Sequence, residues 1–210
     1  MLENGSSDHR VTSVEELDRR YGDPFPPSLY KEIDHVSADY RAMIEASPFV
    51  AIATSGPGGL DCSPRGDAPG FVRVANEKTL HIPDRPGNNR TDSLTNILHD
   101  PRIGMLFLIP GVGETLRVNG RATISVDPQL LESFAIGAKL PRSVLVVAVE
   151  SVYFQCSKAL VRSKLWDPSQ HIKRTDLPST GSMLTKLSKG AIDGEAYDRD
   201  LPARVKAQLY

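Results

Sequence analysis

The hydrophobic and polar pattern changes character near residue 49. Before that point "TSVEELDRRYG" opens on Ser13, carries Glu16 three residues on and runs into Gly22, the signature of a capped helix with a stop. "SADYRAMIEAS" spaces Tyr40, Met43 and Ile44 at i, i+3 and i+4 and predicts a second helix. Between them, residues 23–36 hold Pro24, Pro26 and Pro27 and read as a linker. Residues 12–48 are therefore expected to form a helical extension, with residues 1–11 as a polar, flexible end.

From Phe49 the runs become short and rich in β-branched and aromatic residues: "FVAIAT", "FVRVAN", "KTLHIP", "IGMLFLIP", "TLRVNGRATIS" and "SVLVVAVESVYFQC" predict six strands. "SGPGGL" reads as a hairpin turn, because it lacks the strand-to-helix setting of a dinucleotide loop. One helix is expected from about Thr91 to His99, and another where Asp127 caps and Pro128 takes the first position. "CSKALVRSKLW" is helical in pattern, and residues 167–210 read as loose, partly helical wrapping of a body spanning 49–166. Strands dominate, so the fold class is mainly β (α+β). A barrel or sandwich is favoured over a doubly wound parallel sheet, which needs a helix after nearly every strand. In "DCSPRGDAPGF", Pro64, Gly66, Pro69 and Gly70 interrupt any ladder, which places Ser63, Arg65 and Asp67 on a loop or bulged strand.

Composition narrows the function. With 210 residues, 40% apolar and 24% charged, the chain suits one domain with decorated ends. Its 25 basic and 26 acidic side chains give a net charge of −1, so no global field draws it to nucleic acid or an anionic membrane. Any anion must be gripped locally. There is no secretory start and no apolar run of the roughly 18 residues that a span needs, and a cytoplasmic protein with reduced thiols is expected. Cys62 and Cys156 lie far apart without a CxxC pair, which favours buried, inert thiols over a redox pair. The five histidines lack metal-ligand spacing, so no metal is expected.

The local grip is found in "HIPDRPGNNRTDSLTNILHDPRI", residues 81–103. A strand ends at Pro83, the chain turns at Arg85-Pro86-Gly87, presents Asn88, Asn89 and Arg90, and starts a helix near Thr91 with Asp92 and Ser93 in its first turn. Unpaired N–H groups and partial positive charge at a helix start, with a guanidinium fork and a hydroxyl beside them, outline a phosphate site. The competing reading has Asn, Ser and Thr capping the helix beside solvated arginines. Asp92 suffices as a cap, which leaves Asn-Asn-Arg unexplained by that reading. Arg65 is the second candidate for an anionic ligand.

The ordered set "CSPRGDAPGFV", "IPDRPGNNR", "DPRIGMLFLIPG", "ETLRVNGRATIS" and "SKLWDP" resembles the pyridoxamine 5′-phosphate oxidase-related flavoproteins, in a bacterial branch of the FMN-binding split-barrel group. The resemblance spans residues 12–210 and concentrates between 49 and 125. It implies a six-stranded antiparallel Greek-key split barrel and a homodimer with FMN at the subunit interface. It assigns the FMN phosphate to Asn89, Arg90 and Ser93, with Arg65 reaching in from the preceding strand, and Ser63, Asp67 and Asn88 complete the expected cofactor-binding set. Ile82 and Pro83 are assigned to the flavin ring or ribityl chain, and Thr115 takes the place of a flavin-bonding glutamine with Leu116 packed alongside. Trp166 either covers the flavin or packs the last helix on the barrel. The tail "DRDLPARVKAQLY" has no histidine, where oxidases of pyridoxamine phosphate carry an arginine and histidine pair, so vitamin B6 oxidation is not expected.

The function implied is an FMN-dependent oxidoreductase passing hydride between flavin and a small organic substrate, with NAD(P)H as a candidate donor. The alternatives are a flavin- or haem-binding relative that turns nothing over, and a simple phosphate-ligand barrel. A dimer contact through the "IGMLFLIP" and "TLRVNG" strands is expected, because a small split barrel leaves strand faces to cover.

Overall fold

The computed structural model describes residues 9–210, so the flexible end expected over 1–11 falls mostly outside the described residues. The segment up to Glu32 and the body from Ile33 to Tyr210 are two compact units. In the first, helix α1 (Val14–Tyr21) is capped by Ser13, whose Oγ accepts the Glu16 N–H at 3.1 Å, and it stops at Gly22 with φ +67°. A one-turn helix, α2 (Pro27–Tyr30), forms inside the stretch expected to be only a linker. Pro27 takes its first position, where the missing N–H leaves no bond unmade.

The body is built on one antiparallel sheet of seven strands: β1 (Phe49–Gly56), β2 (Gly59–Gly66), β3 (Arg73–Asn76), β4 (Thr79–Asp84), β5 (Arg102–Leu108), β6 (Thr115–Ser125) and β7 (Ser143–Gln155). Their order is β2-β1-β5-β6-β7-β4-β3. The strand beyond the six expected is β2. It pairs with β1 in unbroken register from Gly56↔Gly59 to Phe49↔Gly66, so Ser63 and Arg65 stand on a regular ladder and Asp67 just past it. Pro64 is tolerated because β2 is an edge strand with one neighbour. None of its side chains is buried, so it shows no apolar alternation to read. The Pro57-Gly58 turn closes the β1–β2 hairpin as expected.

The inward residues of the other strands form one core: Val50 and Ile52, Val74, Leu80 and Ile82, Ile103, Met105 and Phe107, Leu116 and Val118, Leu145, Val147 and Val152. Helix α3 (Ala38–Ala46), capped by Ser37, adds Tyr40 and Ile44 to it. Helix α4 (Asp92–His99) is fixed to β1 by Ile97 in the core and by Asn96 Nδ2 donating to Thr54 Oγ1 at 3.2 Å. Gly56 permits this approach, since a Cβ there would sit 2.3 Å from the Asn96 amide oxygen.

Helix α5 (Pro128–Ser133) is capped by Asp127, and α6 (Lys158–Ser163) ends at Lys164 in the left-handed region. The segment expected to be loose wrapping contains a helical hairpin, α7 (Thr180–Leu187) and α8 (Gly194–Gln208). The hairpin is tight because Gly181 and Gly194 meet backbone to backbone, and Asp198 accepts the Gly181 N–H at 2.7 Å. Cys62 and Cys156 are unpaired and exposed, contrary to the buried thiols expected, because one lies on the edge strand and the other just past the end of β7. Among the described residues no helix is long and apolar enough to cross a membrane.

Candidate functional site

The ends of β2 and β4, the turn 85–90 and the start of α4 converge on a cleft of about 320 Å³. Of the residues singled out in the sequence, Arg65, Pro83, Asn88, Asn89 and Arg90 line it. Phe71, Asp84, Arg85, Thr91, Leu94 and Arg142 line it too. Four arginines thus line the cleft against one aspartate.

Each arginine is held differently. Arg65 Nε pairs with Asp84 Oδ1 at 3.3 Å, and its Nη1 donates to the Pro64 carbonyl at 2.9 Å. Arg85 Nε donates to Asp67 Oδ2 at 3.1 Å and its Nη1 to the Phe134 carbonyl at 2.9 Å. Arg90 Nε donates to Asp92 Oδ2 at 2.9 Å, so the anion in its own helix turn is taken by that arginine. Arg142 Nη1 donates to Asn89 Oδ1 at 2.7 Å. Asn89 sits at φ +62°, a left-handed conformation that asparagine tolerates better than most residues, and this presents its amide to Arg142. Asn88 Oδ1 accepts the Arg90 N–H at 3.0 Å and tightens the turn. Thr91, the residue before α4, makes no side-chain cap bond.

The carboxylates differ in their protonation. Burial pushes the Asp84 carboxyl above its ordinary value, against the pull of Arg65 and Arg142. Burial opposes ionisation of Asp67 too, but hydrogen bonds from Tyr210, the Ala68 N–H and Arg85 bring it below the ordinary value. The Tyr210 hydroxyl donates to Asp67 Oδ1 at 2.7 Å, its ring lies 5.7 Å from the Arg85 guanidinium, and Lys139 Nζ donates to its carbonyl.

Other singled-out residues lie outside the lining. Ser93 is buried and donates to Asp61 Oδ2 at 2.5 Å, and Ser63 donates to the same oxygen at 2.8 Å. Asp67 stands behind Arg85. Ile82 and Leu116 are fully buried core side chains; Leu116 has Phe107 and Phe154 as strand partners. Thr115 is buried at the start of β6 opposite Gln155. Trp166 is half-buried and donates through Nε1 to the Val112 carbonyl at 2.8 Å, near Thr115 in sequence and away from the cleft lining.

Asp84 and Arg142 were not singled out as ligands. Asp84 ends a run that reads as strand, and Arg142 precedes β7. They meet because β4 and β7 pair with Asp84 opposite Ser143, a register that local pattern does not show. The Arg142 N–H donates to the Asp84 carbonyl at 3.0 Å. The only sequence signal was a charged residue at each end of an apolar strand.

The antiparallel seven-stranded sheet with peripheral helices is consistent with a split-barrel fold, and an arginine-lined cleft lies at the start of one of those helices. The pyridoxamine 5′-phosphate oxidase family model matches residues 36–156, more than half of the chain, and the protein belongs to that family. Among solved structures it is similar to HupZ of Group A Streptococcus, at 19% identity and TM-score 0.47, covering 58% of this chain and 95% of that one. It is also similar to an FMN-binding protein of Syntrophomonas wolfei, at 9% identity and TM-score 0.43, covering 54% and 82%. No curated protein sequence matches the chain.

The donor set fits a phosphate monoester. Guanidinium forks match phosphate oxygens geometrically, and a helix start adds partial positive charge. The cavity volume falls at the lower end of the range for small-molecule sites.

Proposed function

We propose that the protein binds FMN with its phosphate in the arginine cleft and acts as an FMN-dependent oxidoreductase on a small organic substrate. The observation that carries this is the convergence of Arg65, Arg85, Arg90 and Arg142 on the start of α4 in a chain of net charge −1. A chain with no general attraction for anions has concentrated cations in one place. Bound FMN supplies the hydride chemistry at its ring system. The protein's part is to fix the phosphate with Arg65, Arg90 and Arg142, to hold Arg85 through Asp67, and to offer Pro83 and Phe71 as apolar wall.

Thr115 and Trp166 stand apart from the cleft within one chain. A homodimer accounts for them: a second copy would bring its Thr115 and Trp166 edge to this cleft. The row Ala51, Leu106, Arg117 and Tyr153, paired across β1, β5, β6 and β7, is half-exposed and supplies a face for such a contact. Two exposed, unpaired thiols suit a reducing, cytoplasmic setting.

The test is to purify the protein, record its visible spectrum and identify any released cofactor by mass. FMN at one per chain is expected, and a colourless protein that takes up no added FMN would end this reading. Rapid anaerobic bleaching of the bound flavin by NADH or NADPH would support turnover with a nicotinamide donor. Slow bleaching by both would favour a flavin carrier. Sedimentation as a monomer at micromolar concentration would remove the shared site.

A further inference from the structure

Among the residues lining the cleft, Asp84 is the anomaly. A site that grips an anion gains nothing electrostatically from a carboxylate in its wall, yet Asp84 is there, with its side chain only 17% exposed and paired to Arg65, itself 21% exposed. It is not a cap or a surface charge. Its backbone is locked by the β4–β7 ladder opposite Ser143 and by the Arg142 N–H, so the side chain cannot retreat with the strand. We propose that Asp84 competes with the ligand's anion for Arg65 and thereby sets which anions the cleft accepts.

The reasoning is electrostatic. An anion that reaches Arg65 must share that guanidinium with a fixed carboxylate or displace it, and two negative groups a few ångströms apart in a half-buried site repel. The cleft therefore holds a bare dianion less tightly than its four arginines alone would. A ligand that brings a hydrogen-bond donor beside its anionic group is penalised less, since Asp84 can accept from that donor. Protonating Asp84 removes the competition, and burial already makes its proton easier to gain than that of an ordinary aspartate. Anion binding should then strengthen as pH falls through the Asp84 range.

The other charged groups around Asp84 do not supply this pH dependence. They include Arg65 on β2, Arg85 and Arg90 in the turn, and Arg142 before β7, whose guanidinium groups are cations and not carboxylates. Asp67 lies behind Arg85 and Asp61 behind Ser93, and both are held below the ordinary carboxylate value. Asp92 stands on Arg90 with about half of its side chain in solvent. No histidine is among the lining residues.

The inference deepens the phosphate-cleft reading and rests on it. Sulfate is the probe, because it stays a dianion where phosphate itself would titrate. Its affinity would be measured calorimetrically from about pH 7.5 down through the carboxylate range, at ionic strength matched with sodium chloride, for wild type, Asp84→Asn and Asp84→Glu. At pH 7.5 Asp84→Asn should bind sulfate roughly ten-fold more tightly than wild type, because it removes a like charge beside the bound dianion. Wild type should approach Asp84→Asn as pH falls, Asp84→Asn should be nearly flat, and Asp84→Glu should keep the slope. A flat wild-type profile, or an Asp84→Asn variant that binds no better and keeps the slope, would overturn the proposal. The wild-type profile alone decides if Asp84→Asn does not fold. FMN added as a competitor separates the two readings. If FMN fails to displace sulfate while the Asp84 dependence holds, the FMN assignment falls and the Asp84 role stands. If FMN displaces sulfate and the profile is flat, the reverse holds.

Discussion

Two arginine–carboxylate pairs flank the same cleft, and they differ in where the chain puts them. Arg90 and Asp92 are two residues apart and meet at 2.8 Å, with side chains 75% and 51% exposed. Arg65 and Asp84 are brought together from β2 and β4 and meet at 3.3 Å, with 21% and 17% exposed. The shorter contact is the weaker one. Water and salt screen the exposed pair, and such pairs contribute about 0–1 kcal/mol, whereas a half-buried charge that loses its partner is stranded. Exposure ranks the two, and distance does not.

That ranking yields its largest effect at Arg65. From the sequence alone Arg90 carries the phosphate charge and should matter most; the structure moves that expectation to Arg65. Arg65→Ala removes a charge-assisted bond worth about 1.5–3 kcal/mol and should weaken FMN binding by roughly ten- to a hundred-fold in a fluorescence titration. It also leaves Asp84 without its partner, so the melting temperature should fall. Riboflavin, which lacks the phosphate, should bind variant and wild type within about two-fold. An equal loss for riboflavin would mean that Arg65 acts through the fold.

Arg142→Ala comes next. It frees Asn89 from its partner and removes a cation that faces Asp84, and a loss of FMN affinity of about ten-fold is expected. Arg90→Ala should cost only about two- to five-fold, and most of that should vanish at high salt. If Arg90→Ala proved worse than Arg65→Ala, the exposed pair would be the one that grips the ligand. The comparison would then reverse.

The same contrast explains what could be read from the chain. The hairpin at "SGPGGL", the Asp127 cap and the α4 start are local, and each depends on residues within a turn of one another. Arg65 and Arg90 were legible as candidate ligands because proline, glycine and asparagine marked their segments as irregular. β2 escapes the pattern because it buries no side chain, unlike the other edge strand, β3, which buries Val74, so "GLDCSPRG" has no alternation to display. The tail was read as loose because its tightness comes from two glycines, Gly181 and Gly194, that have no side chains to register in a pattern. Asp84 and Arg142 were invisible as a pair because only the β4–β7 register joins them. Thr115 and Leu116 carried a role from resemblance alone, and burial at the start of β6 takes the Leu116 side chain into the core.

The smallest effect on binding is expected at Ser93, which the sequence offered as a phosphate donor. Its hydroxyl is buried and committed to Asp61, whose carboxyl is held below the ordinary value, chiefly by that bond, with Ser63, Arg65 and Arg90 assisting against burial. A depressed carboxyl stabilises the fold above the unfolded value of about 3.9 and loses that contribution as pH falls through the folded value. Ser93→Ala should therefore reduce unfolding free energy at pH 7 by about 0.5–1.5 kcal/mol in chemical denaturation. The gap from wild type should close as pH is lowered through the carboxylate range, because both proteins then carry a protonated Asp61. FMN affinity at pH 7 should change by less than about two-fold, since Ser93 reaches the cleft only through Asp61 and its arginine neighbours. A ten-fold loss of FMN with unchanged stability would put the hydroxyl on the phosphate instead. The Asp61 bond would then be one that the ligand replaces.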